Sequence, residues 1–211
     1  MRAPARRAVA LRALLAVGLV LAASACGDAA RPARATADAG ALGRAQAACA
    51  AGDAEGGLAA VDSVLSTSAT ADALVVRALC RWLVFDDTGE LGEAAEQDLT
   101  DALAVARADG AEAAALARIY SHRAALRRAR GAGWPATLAD LDAAVEADTA
   151  QPLYVLDRAV ARLQRGDSAA AVRDLDRYLQ LDTLASARGD FARQLRDEAR
   201  PQEGRSQAAR P

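Results

Sequence analysis

The sequence contains no lysine, a single histidine and very few aromatic residues. Phe, Trp and Tyr make up 3% of the 211 residues, and the apolar content is mostly Ala, Leu and Val. Alanine is the strongest helix former, whereas the aromatic residues and Ile that strands favour are nearly absent. The composition therefore predicts an all-α protein, and the length predicts one domain or at most two.

The shortage of histidine also limits the chemistry. Since His122 is the only one, a metal site with two or more histidines is excluded, and a Ser-His-Asp or Cys-His arrangement would have to include it. The sequence has no Gly-rich phosphate-binding loop. Acidic pairs such as Asp86-Asp87, or Asp174 with Asp176, are more typical of turns and solvated helix faces than of catalysis. We therefore predict that the protein is not an enzyme and has no cofactor or bound metal.

The charge balance gives no sign of nucleic-acid binding. All 26 basic residues are Arg, and 28 acidic residues outnumber them, which leaves a formal net charge of -2. A nucleic-acid-binding domain is expected to carry a basic patch or stripe along one face. We therefore expect no nucleic-acid partner.

The N-terminal 25 residues have the pattern of a secretory signal. Residues 1–12 contain Arg but no acidic residue, and residues 13–23 form an apolar run too short to span a bilayer. Residues 21–27 (LAASACG) resemble a bacterial lipoprotein lipobox, which implies cleavage before Cys26 and attachment of acyl chains such as palmitate. The alternatives are a plain secretory signal cleaved near Ala25 and an uncleaved anchor.

This address defines the expected domain organisation. Residues 1–25 are predicted to be the lipoprotein signal peptide and residues 26–37, small and polar, a flexible tether. Residues 38–200 are expected to fold, and residues 201–211, which lack large apolar side chains, to be disordered. The predicted location is the bacterial cell envelope, with a lipid anchor at the periplasmic face or the cell surface.

The folded segment contains an internal repeat. Asp174-Leu175-Asp176 is matched 34 residues earlier by Asp140-Leu141-Asp142. A Gly-Asp turn comes eight residues after an Arg-Ala dipeptide in the first and last units, and apolar residues three or four apart follow it, as in one buried stripe of an amphipathic helix. The Arg-Ala dipeptides mark four hairpins and begin at Arg44, Arg77, Arg123 and Arg158.

A period of about 34 residues and these positions resemble the tetratricopeptide repeat (TPR). The last unit carries the resemblance through Ala159, Gly166-Asp167, Ala171, Leu175, Leu179 and Leu181-Asp182, and departs from it at Tyr178, where Ala is usual, and at Thr183, where Pro is usual. The resemblance implies a solenoid of about four TPR-like helix-turn-helix repeats over residues 38–183. Residues 188–200, with Phe191 and Leu195 on an otherwise charged helix, are predicted to form a C-terminal capping helix.

The resemblance also implies a concave groove lined by the first helix of each repeat, which in the family holds extended peptides or helices. Trp82 is the best single anchor candidate, although a place in the core is the more favoured interpretation of it, and Arg128 is a possible partner for acidic groups. The Lys and Asn residues with which some family members hold a C-terminal carboxylate are missing. The predicted groove residues are Leu42, Gln46, Cys49, Val75, Leu79, Trp82, Ser121, Ala125, Arg128, Leu156, Val160 and Leu163.

Two further interactions are expected between helices. Cys49 and Cys80 fall in the first helices of neighbouring units, so they either form a disulfide or are two separate buried thiols. The recurrent Arg of each first helix is expected to pair with the Asp of the second helix (Asp98, Asp140 or Asp174), as surface ion pairs of at most about 1 kcal/mol each.

These features together predict a lipid-anchored extracytoplasmic scaffold or adaptor that binds a protein or peptide, in envelope assembly or protease adaptation. The alternatives are a self-associating structural lipoprotein and, with less support, an enzyme or ligand-binding protein that uses His122 or the acidic turns. The sequence identifies neither the partner nor the oligomeric state.

Overall fold

The computed structural model describes residues 33–83, 89–131, 133–182 and 186–200. It divides into two compact units, Met1–Thr36 and Ala37–Pro211, and almost all described residues belong to the second. The predicted signal peptide, Cys26 and the predicted C-terminal tail lie outside the described residues. The first described helix begins at Ala33, inside the segment that the sequence assigns to a tether.

The described residues form helices and contain no strand. The helices are, in chain order, α1 (Ala33–Ala50), α2 (Ala54–Leu65), α3 (Ala71–Leu83), α4 (Glu90–Ala108), α5 (Ala113–Arg130), α6 (Trp134–Ala147), α7 (Pro152–Arg165), α8 (Ser168–Leu181) and α9 (Ala187–Ala199).

These helices pair into the four predicted hairpins, which we call repeats 1 to 4. Each repeat consists of a first helix (α1, α3, α5 or α7) and a second helix (α2, α4, α6 or α8), and each second helix contacts the first helix that follows it. The helix α9 contacts α8. This confirms an all-α solenoid in which each repeat packs on its sequence neighbours.

The Gly-Asp pairs of repeats 1 and 4 form the predicted turns. Gly52 and Gly166 have φ of 92° and 89°, a left-handed conformation that a residue with a Cβ rarely adopts. The next residue caps the second helix, since Asp53 accepts a hydrogen bond from the backbone N–H of Gly56 and Asp167 accepts one from Ala170. Two residues therefore end one helix and start the next.

The core runs along the stack between the two helix layers. Near its start it is built from α1, α2 and α3, with Ala45, Cys49, Val61, Val76 and Cys80 among its buried members. Near its end, α7, α8 and α9 form a second cluster. Many core positions are alanines with no exposed surface, so the helices approach closely.

Tyr178 explains one departure from the TPR pattern. It is buried in the last cluster, where the family usually has Ala, and its hydroxyl lies 3.1 Å from an oxygen of Asp182. Burial and this hydrogen bond raise the pKa of Tyr178. The larger side chain is accommodated at the last repeat, where α9 rather than a further hairpin packs beside it.

The helix α9 closes the stack, as predicted. Ala192 is fully buried in the last cluster and Leu195 packs against it. Phe191, which the sequence predicts to pack together with Leu195, is instead 48% exposed. Arg193 and Asp197 are exposed. A helix with one apolar side and one charged side ends a repeat stack without leaving an apolar surface open.

Candidate binding surface

The most regular feature of the structure is a set of buried carboxylates, each held by two arginines. In repeat 4, Asp174 accepts hydrogen bonds from Nε and Nη2 of Arg158, at 3.0 and 2.7 Å, and from Nη1 of Arg162 at 2.7 Å. Repeats 2 and 3 have the same arrangement. The three clamps are Arg77, Arg81 and Asp98; Arg123, Arg127 and Asp140; and Arg158, Arg162 and Asp174.

The first arginine of each clamp also donates a hydrogen bond to the second helix of the preceding repeat. Arg158 donates to Asp142 at 2.9 Å, Arg123 to the hydroxyl of Thr100 at 3.1 Å, and Arg77 to Asp62 at 3.2 Å. Asp62, Thr100 and Asp142 occupy the same position in their second helices, as Asp98-Leu99-Thr100 and Asp140-Leu141-Asp142 make visible. We call the clamps together with these backward contacts the Arg–Asp ladder.

The ladder continues into the capping helix. Arg196 and Arg200, four residues apart like the clamp arginines, lie 3.5 and 3.3 Å from Asp176, which is the repeat 4 equivalent of Asp142. The helix α9 therefore binds repeat 4 as a fifth first helix would. Its charged side takes the position at which a second helix would otherwise pack.

The ladder corrects the expectation of surface ion pairs. Asp98, Asp140 and Asp174 are 2%, 4% and 4% exposed, because each lies between its two arginines. The hydrogen bond to Asp98 raises the pKa of Arg77, and that to Asp140 raises the pKa of Arg123, so both stay charged. Sequence reasoning identified the first arginine of each pair and missed the second. Its signal was the recurrent Arg-x-x-x-Arg at 77/81, 123/127, 158/162 and 196/200.

Repeat 1 has no such clamp. Shifting repeat 4 back by 114 residues places Ala48 and Ala60 at the positions of Arg162 and Asp174, and Arg44, at the position of Arg158, is exposed. Instead, Cys49 of α1 and Cys80 of α3 form a disulfide, with 5.3 Å between their Cα atoms. Of the two alternatives that the sequence left open, the structure has the bridge.

The ladder fixes which side of each first helix faces away from the clamps. In α7 the ladder and the core use Arg158, Arg162, Val155 and Ala159, which leaves a stripe of residues four and three apart: Leu153, Asp157, Val160 and Gln164. We call this stripe and its equivalents in α3, α5 and α9 the inner face. The α5 equivalents are Arg118, His122, Ala125 and Ala129. The α3 equivalents are Asp72, Val76, Leu79 and Leu83, of which Val76 and Leu79 are buried.

An ion pair supports this alignment of the first helices. Arg118 of α5 lies 2.8 Å from Asp72 of α3, and both residues are exposed. They occupy the same position of the stripe in consecutive repeats, so equivalent residues of neighbouring first helices do meet. The helices α5 and α7 also contact each other directly.

The predicted groove residues divide into buried and partly exposed ones, and Ala125 and Val160 are the partly exposed ones that belong to the inner face. Val75, Ser121 and Leu156, which share one register position, are 6%, 9% and 8% exposed and therefore offer little surface. Leu79 is also buried, at 6%. The predicted residues that keep partial exposure are Leu42, Gln46, Trp82, Ala125, Arg128, Val160 and Leu163.

Two titratable side chains on the inner face are largely desolvated. Desolvation, followed by the positive charge of Arg118, lowers the pKa of His122 to about 4. Burial raises the pKa of Asp157, against the opposing effect of Arg128 and Arg188. Both side chains nevertheless keep partial exposure to solvent. Neighbouring groups therefore surround both side chains without covering them completely.

His122 is neutral at physiological pH, since its pKa lies well below 7. In the ranges that the structure covers, no group of three or more His, Cys, Asp or Glu residues is placed to hold a metal ion. Across the same ranges, no helix has the length and apolar content needed to cross a membrane.

Comparisons with known proteins identify the fold. No model of a known protein family matches the sequence, and no curated protein matches it. Among solved structures, the chain is similar to one in the crystal structure of the APC/C hetero-tetramer Cut9-Hcn1, with a TM-score of 0.65 and 12% identity over 78% of this chain. It spans 30% of the length of that chain. The protein therefore has a TPR-like helical-repeat fold.

Two further structures are more distant. One is the TPR2AB domain of yeast Sti1 in a complex with pHSP90, with a TM-score of 0.36 and 14% identity over 78% of this chain and 99% of that one. The other is pilF of Pseudomonas aeruginosa, with a TM-score of 0.36 and 13% identity over 79% of this chain and 90% of that one.

Proposed function

We propose that this protein is a scaffold that binds a protein or peptide on its inner face, and that acyl chains on Cys26 hold it in a bacterial cell envelope. The binding part of the proposal rests on the use of each helix surface. The ladder and the core occupy the other sides of the first helices, whereas the inner face keeps exposed or partly exposed residues on α5, α7 and α9 and, on α3, at Asp72 and Leu83. Repeat folds of this kind commonly use such extended surfaces for binding.

Two exposed apolar side chains on the inner face give the proposal its strongest support. Leu83 and Phe191 are 50% and 48% exposed, the large apolar side chains that the described residues leave most accessible. Leu83 stands at the α3 position equivalent to Gln164, and Phe191 at the α9 position equivalent to Leu153. Both belong to the inner face, Leu83 in repeat 2 and Phe191 in the capping helix. Exposed apolar residues on one face are typical of a protein interaction site.

The similarity to Cut9-Hcn1 supports the general part of this proposal, since the chain in that crystal structure belongs to a hetero-tetramer. It supports neither a particular partner nor a location. The envelope location rests on the lipobox-like residues 21–27 alone.

Site-specific photo-crosslinking tests the binding surface. A photo-reactive amino acid at position 83 is expected to link the protein to a defined partner band in the native host. The same residue at position 101, exposed on the second helix α4, is the matched control and should give no such band. Equal adducts from both positions, or none from position 83, would contradict the proposed surface.

The anchor is tested separately by the intact mass of protein extracted from membranes. The expected species begins at Cys26 and carries acyl chains, and a Cys26→Ser variant should lose both the acyl mass and the membrane fraction. An unlipidated wild-type protein would exclude the anchor and leave the binding proposal standing.

A further inference from the structure

Repeat 1 differs from the others in how it is held to its neighbour. Repeats 2 to 4 each have a clamp of two arginines and a buried aspartate between their own two helices. In repeat 1 the corresponding positions are Ala48 and Ala60, so no charge links α1 to α2 there. The ion pair of α2 is made with the next repeat, where Arg77 contacts the exposed Asp62.

The disulfide lies in the core of the repeat that lacks a clamp. Cys49 and Cys80 are 3% and 1% exposed, and they belong to the cluster in which α1, α2 and α3 meet. The bridge joins α1 to α3, although α2 lies between these helices in the sequence. It joins residues 31 apart, so it removes a large amount of conformational freedom from the unfolded chain.

The packing of α2 is built around the bridge. A Cβ at Gly57 would overlap the Sγ atom of Cys49 and would approach the carbonyl oxygen of Ala45 to 2.9 Å. The equivalent residues of the other repeats all carry a side chain and are fully buried: Ala95, Thr137 and Ala171. Only in repeat 1 does a disulfide sulfur take the space that a side chain occupies elsewhere.

We propose that the Cys49–Cys80 disulfide is a redox-dependent clamp that replaces the Arg–Asp clamp in repeat 1, and that its reduction releases α1 and α2 while α3 to α9 stay folded. The released repeat takes Leu42 and Gln46 with it, and it uncovers the side of α3 that carries Ala73, Val76 and Cys80. The remaining repeats keep their own clamps, since none of these involves a cysteine.

The chemical step is a two-electron reduction. A dithiol reductant attacks one sulfur of the bridge, the S–S bond breaks through a mixed disulfide, and two protons are taken up to give two thiols. The reductant is oxidised to its own disulfide. Because both sulfurs are buried, the exchange requires a transient opening of repeat 1.

Hydrogen–deuterium exchange with mass spectrometry tests the proposal on the full chain. Oxidised protein is compared with protein reduced by dithiothreitol in moderate urea and then returned to buffer that contains the reductant. Amides of α1 and α2 are expected to exchange at least about 30-fold faster after reduction, which corresponds to about 2 kcal/mol. Those of α5 to α8 should not change. Unchanged exchange in α1 and α2, or an equal increase along the whole chain, would overturn the proposal.

A rescue experiment tests the equivalence of bridge and clamp. In a Cys49→Ala/Cys80→Ala background, Ala48→Arg together with Ala60→Asp supplies a clamp at positions that are only partly buried. The rescued protein is expected to recover slow exchange in α1 and α2. Ala48→Arg alone is the matched control and should not recover it. Failure of the double substitution, or equal rescue by the single one, would overturn the equivalence.

Discussion

At the scale of single residues, the buried aspartates of the ladder are more costly to remove than their surface neighbours. Asp174 and Asp176 lie two residues apart on the same helix, and both bind arginines. The side chain of Asp174 is 5% exposed and that of Asp176 is 40% exposed. Burial makes an ion pair costly to break, because the remaining charges lose their partner where water does not replace it.

This contrast predicts different effects of the same substitution. Asp174→Asn leaves Arg158 and Arg162 facing a neutral amide and is expected to lower the free energy of unfolding by about 3 kcal/mol. Asp176→Asn is the matched control and should cost less than about 1 kcal/mol. Urea denaturation of both variants measures the difference. Equal losses would mean that burial of the clamp does not matter.

His122 predicts a pH dependence that one signal can report. Because it is the only histidine, its imidazole resonance in NMR needs no assignment, and its pKa is expected at about 4. The folded pKa lies below that of an unfolded histidine, about 6.5, so protonation favours the unfolded state. The stability that the neutral imidazole contributes is present above pH 6.5 and is lost as the pH falls towards 4.

The matched variant for this prediction is His122→Gln, which cannot be protonated. Wild type and variant should have parallel stability profiles above pH 6.5, and the wild type should lose more stability between pH 6.5 and 4. Comparison of the two removes the effect of carboxylates, which titrate in both proteins. A measured pKa between 6 and 7 would show that His122 is solvated and would contradict its desolvation on the inner face.

At the scale of helices, much of the arrangement could be predicted because each signal is local. Gly166-Asp167 ends one helix and caps the next through its own backbone and side chain, so the sequence alone predicts this turn. The inner face could not be predicted in the same way. Val75 and Leu156 have the same apolar character as Val160, and only the rotation of the helix in the stack decides which of them is buried.

The same limit applies to contacts between repeats. The Asp-Leu-Asp recurrence indicated equivalent positions, yet the role of its second aspartate, as the acceptor for the next repeat, depends on how far an arginine reaches across two helices. For a similar reason, the sequence did not decide whether the two cysteines form a disulfide. The distance between Cys49 and Cys80 depends on the packing of α1 against α3.

Gly57 predicts a helix-level effect of a single methyl group. Gly57→Ala places a Cβ against the disulfide and the backbone of α1, and it should lower the free energy of unfolding by about 1–3 kcal/mol. Gly43→Ala in α1 is the matched control, because its Cβ has nothing within 4 Å, and it should stabilise the protein by about 0.5–1 kcal/mol. Thermal or urea unfolding distinguishes the two. A stabilising Gly57→Ala would contradict close packing of α2 on the bridge.

At the scale of the whole molecule, a repeat stack has two ends that differ from its middle. The described C-terminal end is α9, which continues the ladder through Arg196 and Arg200 but presents charge where another helix would pack. Arg193 and Asp197 occupy the positions at which α7 has Val155 and Ala159, both fully buried against α8. The difference between a repeat that continues and one that ends is therefore concentrated in a few side chains of one helix.

The charged residues of α9 are expected to prevent another copy of the chain from packing on the end of the stack. Arg193→Val together with Asp197→Ala gives α9 the side that α7 uses to bind its second helix, and the new apolar surface has no helix within the described chain to cover it. Because apolar surface at an open end favours contact with another copy, the variant is expected to associate at concentrations at which the wild type does not. Sedimentation velocity over a concentration series measures this. Gln194→Ala, an exposed change on the same helix, is the matched control and should leave the wild-type behaviour unchanged. If wild type and the double variant sediment identically, the charges of α9 are not what ends the stack.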